Sequence, residues 1–203
     1  MMAGKRFNLG VIGVVFVLLV VSIAFIGGCT RQSSTEEPSI PTPTTEPVTT
    51  EPATTGVLTT QGYVYDDKLG YGFEYPGGWE MQTPEVIDGE DTESVVMFTK
   101  PGTPTTLIVT VKLSNLTSLE EVGGEIKEEL NKLGMTILEE REIVVNGREG
   151  YEVIYQPIAA AKMRQVIFIA NGRAYMLVCS TAEPLYDEYE ETFDNVINSF
   201  VIE

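Results

Sequence analysis

The sequence contains no histidine among its 203 residues. That removes Ser-His and Cys-His nucleophile pairs, imidazole zinc sites and the usual general base near neutral pH. Cysteine is nearly absent too: Cys29 and Cys179 are the only two, too few for a disulfide framework. Positive charge is scarce, with 13 Lys and Arg against 30 Asp and Glu and a formal net charge of −17. Such a surface repels phosphate backbones and anionic headgroups. Nucleic acid is therefore not an expected partner, and membrane contact needs an anchor. Patterns of the G-x-S-x-G, S-x-x-K, P-loop and G-x-G-x-x-G kinds are missing as well, which argues against several hydrolase and nucleotide-binding classes.

What the chain does have begins at its first residues. Lys5 and Arg6 precede a near-continuous apolar run, Leu9 to Ile26, which ends in Ile26-Gly27-Gly28-Cys29. This ending resembles the lipobox of bacterial lipoproteins. The resemblance implies that Cys29 is the lipidation site, that its thiol carries a diacylglyceryl group, and that the chain is cut just before it. Residues 1–28 then form a lipoprotein signal peptide, with Gly27 and Gly28 giving the unhindered backbone a cleavage site needs. A run of about 18 apolar residues is also just long enough to span a bilayer uncut. Both readings place the rest of the chain on the extracytoplasmic face of the cell membrane, because the positive end stays in the cytoplasm.

Residues 29–56 are dominated by Thr, Pro, Glu and Ser, as in Pro41-Thr42-Pro43-Thr44-Thr45-Glu46-Pro47. A segment without apolar periodicity cannot bury a core and is read as an extended tether. At about 3 Å per residue it reaches several tens of ångströms from its anchor.

Residues 57–203 read as one folded domain. Tyr71, Phe73 and Tyr75 alternate with Gly72 and Glu74, as in a half-buried strand. Runs from Ser94 to Thr99 and from Thr106 to Leu113 are two further strands, parted by the turn Pro101-Gly102-Thr103-Pro104. Ser118 and Glu121 make a capping box, and Leu119, Val122, Ile126, Leu130 and Leu133 recur at helical spacing before a Gly134 stop. Asn146-Gly147 and Asn171-Gly172 each join two β-rich runs, the strongest short hairpin signal because both residues tolerate positive φ. A last helix starts near Pro184, and Ser199-Phe200-Val201-Ile202 reads as a strand-like tail. The class is α+β: an antiparallel β-sheet flanked by helices.

Three segments together resemble the PsbP-like family. They are Tyr65-Asp66-Asp67-Lys68-Leu69-Gly70-Tyr71-Gly72-Phe73-Glu74-Tyr75-Pro76-Gly77-Gly78-Trp79, Asn146-Gly147-Arg148-Glu149-Gly150-Tyr151, and Phe193-Asp194-Asn195-Val196-Ile197-Asn198-Ser199-Phe200. The resemblance implies the α-β-α sandwich shared by Mog1p and PsbP. It also implies non-enzymatic accessory proteins that bind a larger complex and aid its assembly or stability. The metal-linked roles of the photosystem subunit that names the family depend partly on an N-terminal region replaced here by the tether, so they do not carry over.

The leading expectation is thus a membrane-tethered binding or accessory lipoprotein, not an enzyme and without a cofactor, that docks on another membrane or exported protein. A small-ligand or cation-binding lipoprotein is the second reading, and a carboxylate-dependent hydrolase the third. The candidate binding residues are Tyr65, Tyr71, Tyr75 and Trp79, within an aromatic set that includes Tyr63 and Phe73. Aromatics at this density either line a ligand groove or pack a helix onto a sheet. The acidic run Asp88-Gly89-Glu90-Asp91-Thr92-Glu93 lacks calcium-loop spacing and reads as a solvated loop, so no metal site is assigned. Cys179, inside an apolar run, reads as a core residue rather than a reactive thiol. The helical carboxylates Glu121, Glu125, Glu128 and Glu129 read as a solvated face.

Overall fold

Turn chemistry and helix caps lay out the domain. The computed structural model describes residues 62–84, 91–157 and 160–203. The signal peptide, Cys29, the tether and Asp88, Gly89 and Glu90 of the acidic run lie outside the described residues.

Among the described residues the chain runs through five strands: β1 (Gly62–Asp66), β2 (Tyr71–Tyr75), β3 (Glu80–Gln82), β4 (Thr92–Thr99) and β5 (Thr106–Leu113). Helix α1 (Leu119–Lys132) follows, then β6 (Thr136–Val145), β7 (Arg148–Gln156), β8 (Ala161–Ala170) and β9 (Arg173–Ala182). A short 3₁₀ turn at Glu183–Leu185 leads into α2 (Tyr186–Ser199), and β10 (Val201–Ile202) completes the order.

The expected single sheet is two. Seven strands form one sheet in the order β3-β4-β5-β9-β8-β7-β6, and β1-β2-β10 form a separate three-stranded sheet. Every pairing is antiparallel. β3, which the sequence does not announce, is three exposed residues at the edge of the large sheet.

Both Asn-Gly pairs sit in the left-handed region, Asn146 at φ 49 and Gly147 at φ 78, Asn171 at φ 54 and Gly172 at φ 71. This is the type I′ geometry whose twist matches that of the flanking strands. The asparagines do a second job. Asn146 Nδ2 donates to the carbonyls of Asn198 and Phe200 at 2.9 Å each, and Asn171 Nδ2 donates to that of Glu203 at 2.9 Å. The two hairpin tips therefore grip residues 198–203 and hold β10 against β2.

Helix α1 starts as its box requires, with Ser118 Oγ accepting from the Glu121 amide at 3.2 Å. The return bond is shifted by one residue, since Glu121 Oε2 takes the Thr117 amide at 2.9 Å. At the other end Gly134, at φ 68, and the Met135 amide bonded to Leu130 O at 2.9 Å form the expected left-handed stop.

The large sheet is covered on both faces. On one, Val122, Ile126 and Leu130 of α1 meet Tyr151, Val153 and Met176. On the other, the small sheet and α2 lie side by side, bringing Tyr71, Phe73, Phe193 and Phe200 onto Leu177 and Cys179. The result is a three-layer arrangement, α1 over sheet over small sheet plus α2. Cys179 is fully buried, and burial pushes its thiol up to about 12, so it packs as a hydrophobe.

Candidate functional site

The four candidate binding residues do not converge on one hollow. Tyr71 is in the core, stacked near Phe200 at a centroid distance of 5.9 Å. Trp79 is buried edge-on to Tyr189 of α2 at 6.4 Å. Tyr75 stacks on Phe98 at 4.6 Å and lines a shallow hollow of about 260 Å³ with Glu74, Pro76, Thr192 and Asn195. Tyr65 alone is strongly exposed. Three of the four thus join the small sheet and α2 to the large sheet.

The strand alternation explains the split. Val64 of β1 packs inward against the core, so its neighbours Tyr63 and Tyr65 point to the opposite face. They are 56% and 48% exposed, and their cross-strand partners are Glu74 and Gly72. Gly72 has a specific reason to be glycine: a Cβ there would collide with the Tyr63 hydroxyl, which lies across it. Tyr65 donates from its hydroxyl to Glu203 Oε2 at 2.8 Å, and that bond raises its pKa above the ordinary value. The outer face of the small sheet is therefore a pair of held tyrosines beside Glu74 and Glu203. Tyr63 stands beside Tyr65 because the two are alternate residues of one strand, β1, which is not among the strands expected from the sequence.

Other charged groups are committed inside the fold. Glu152 on β7 and Arg164 on β8 are buried at 1% and 6% exposure, with Arg164 Nε donating to Glu152 Oε1 at 2.7 Å. Arg164 also reaches Asp194 on α2, and Arg141 on β6 reaches Glu152 from outside. Burial alone would lower the Arg164 pKa, but the Asp194 and Glu152 carboxylates outweigh it and hold the guanidinium above its ordinary value. In the acidic run, Glu93 is taken by Arg173 in a two-pronged contact, with Nη2 at 3.1 Å from Oε1. Asp66 Oδ1 accepts from the Lys68 and Leu69 amides at 3.0 Å each and fixes the β1–β2 turn. Among the described residues no group of three His, Cys, Asp or Glu is placed to hold a metal ion, and no helix is long and apolar enough to cross a membrane.

The α1 carboxylates are not a uniformly solvated face. Glu121 serves the cap, whereas Glu125 is half-buried with one oxygen sealed from solvent, and that burial raises its pKa. Its field falls on Lys112 of β5, which is 2% exposed. Burial pushes the Lys112 ammonium down to about 8, against the opposing pull of Glu125 and Asp91. Its unfolded value is near 10.5, so between about pH 8 and pH 10 the unfolded chain keeps a proton that the native protein has released. Lys112 therefore contributes stability that rises with pH across that interval, by roughly 2 kcal/mol. The buried Cys179 thiol, raised from 9.0 to about 12, contributes a fall over the same range, because the native protein keeps a proton the unfolded chain has lost. Urea titrations should show the wild type gaining about 2 kcal/mol relative to Lys112→Met between about pH 8 and pH 10, the Cys179 contribution being common to both. An identical pH dependence in the two proteins would rule Lys112 out as the source of that gain. Higher pH brings in the buried tyrosines Tyr151, Tyr155 and Tyr186, whose raised pKa values act in the opposite direction.

The sequence profile of the PsbP-like protein family matches residues 11–202, and the chain belongs to that family. Its fold is similar to that of cyanobacterial PsbP (CyanoP) from Synechocystis sp. PCC 6803, solved in solution. That comparison has a TM-score of 0.58 and 19% identity, covering 72% of this chain and 94% of the other. Likeness is lower to PA94, a protein of unknown function from Pseudomonas aeruginosa, with a TM-score of 0.47, 11% identity, and 70% and 97% of the two chains covered. A mutant of Mog1 gives a TM-score of 0.49 and 10% identity, covering 70% of this chain and 96% of that one. No curated protein matches by sequence.

Proposed function

We propose that the protein is a non-enzymatic accessory lipoprotein, held by lipid at Cys29 on the extracytoplasmic face of the cell membrane. Its domain docks on another exported or membrane protein. The observation that carries this reading is the exposed tyrosine pair on a domain whose other aromatics, among the described residues, lie in or against the core. Exposed aromatics held in place by glycine and hydrogen bonds are an ordered contact surface that folding itself does not require. The Thr- and Pro-rich tether supports the same reading, since it gives the domain reach from a fixed anchor. Histidine, the commonest general acid–base, is absent from the sequence.

Two measurements test it. The wild type should be labelled by a lipid precursor and Cys29→Ala should not; a wild type that takes no label while staying in the membrane fraction would favour the uncut span. A photo-crosslinking residue at position 65, in the tethered full chain, should form a reproducible adduct with one membrane or exported protein. The same probe at Val144, 69% exposed on β6, serves as the control. Equal adduct patterns from both positions, or none from position 65, would remove the docking reading.

A further inference from the structure

The sheets described here have four lateral edges, and three are guarded. β3 offers only three residues and β10 only two. β6 is long, but it carries Glu139, Glu140, Arg141 and Glu142 and a register shift between Ile137 and Glu139. Short edges, charge and irregularities are the usual devices that stop a sheet from adding a foreign strand. β1 carries a single charge, Asp66 at its end, and no irregularity. It runs five residues, Gly62-Tyr63-Val64-Tyr65-Asp66, in unbroken register with β2, without proline, lysine or arginine.

We infer that the free edge of β1 is a strand-addition site for an extended, lysine- or arginine-bearing segment of the docking partner. This inference rests on the docking reading and names its chemistry. An added strand pairs its backbone with the edge groups that no described strand takes and places alternate side chains beside Tyr63 and Tyr65. β1 is ready for this without rearrangement: Val64 anchors it inward, the Tyr63 ring rests over Gly72, and the Tyr65 hydroxyl is tied to Glu203. Charge selects the occupant. Glu74 and Glu203 share the tyrosine face, Asp66 ends the strand and Asp67 follows it, against Lys68 in the turn and Arg148, which is turned to the Ile202 carbonyl. A basic strand is attracted there, whereas a second copy of a chain with net charge −17, or an anionic lipid surface, is repelled.

The test is hydrogen exchange on the full chain with three short peptides as probes. The first alternates lysine with valine, the second alternates glutamate with valine, and the third is the lysine peptide with a central proline that cannot extend a ladder. The lysine peptide should slow exchange across residues 62–66 about tenfold, with β3, β6 and α2 unchanged, and the other two peptides should not. Tyr63→Ser combined with Tyr65→Ser, both exposed positions, should weaken that protection while the domain stays folded, its melting temperature falling by only a few degrees. Protection by the proline peptide, protection centred on another element, or a homodimer that protects β1 unaided would each overturn strand addition. If position 65 crosslinks a partner while β1 exchange stays unchanged in its presence, docking stands and strand addition falls. If neither responds, both fall.

Discussion

Phe200→Ala should lower the stability of the domain by about 4 kcal/mol, the largest effect expected of a single core truncation here. Phe200 is 2% exposed, and its ring centroid lies 5.6 to 6.3 Å from those of Phe168, Tyr71, Phe73 and Tyr175. Those four rings come from β2, β8 and β9, so one side chain closes the space between the small sheet and the large one. Its backbone is held as well, by Asn146 on the Phe200 carbonyl, so the neighbouring chain cannot simply slide into the void. Urea unfolding should report the loss directly, and the thermal midpoint should fall by roughly 12 °C. Phe200→Leu, which leaves a smaller cavity, should lose less than half as much. A loss below about 1.5 kcal/mol for the alanine variant would mean that the aromatic cluster collapses around the gap.

Glu152→Ala should remove about 3 kcal/mol, for a different reason. The change leaves the Arg164 guanidinium buried, with Asp194, itself half-exposed, as its remaining carboxylate. A buried carboxyl can escape such a position by taking up a proton, but a guanidinium stays charged at any pH the fold tolerates. Restoring neutrality should therefore restore stability. The double variant Glu152→Leu with Arg164→Met should recover most of the loss, because apolar replacement of a buried ion pair is often neutral or stabilising. If the double variant is as unstable as the sum of the two single ones, the pair owes its place to shape rather than to charge.

These two residues also mark where the sequence can and cannot be read. The hairpin tips and the start and stop of α1 are local: Asn146-Gly147, Asn171-Gly172, Ser118 with Glu121, and Gly134 carry their geometry within a few residues. Glu152 is the opposite case. It alternates with Tyr151 and Val153, a pattern that in isolation puts Glu152 on a solvated face. Yet α2 packs on that face, and the charge is met by Arg164 from the next strand and Asp194 from the helix. A lone arginine inside Met163-Arg164-Gln165-Val166-Ile167-Phe168 is the signal that could have exposed it.

Separation of the two sheets was hidden for a similar reason. Tyr71, Phe73 and Tyr75 form a half-buried strand whichever sheet they join, and the choice is made by pairing with Val201 and Ile202. β3, with three exposed residues, has no pattern to read. For the candidate site, closeness in sequence was a poor guide. Tyr65, Tyr71, Tyr75 and Trp79 lie within one short stretch, but successive strand positions face opposite ways, and Tyr65 alone of the four is left strongly exposed.

The grip of the two asparagine turns on residues 198–203 has a consequence for the order in which the domain can form. Val201 pairs with Gly72, 129 positions earlier (201 − 72). The β1–β2 hairpin thus waits for its third strand until almost the whole domain has been synthesised. A two-stranded ribbon is marginal alone, and contacts between such distant residues form slowly because the intervening chain must first be closed into a loop. Assembly is therefore weighted towards its last step, with β7, β8 and β9 able to pair through nearby turns long before the small sheet closes. A chain with that schedule leaves the first hairpin of the domain as the last part to become stable, although it is the first to be made.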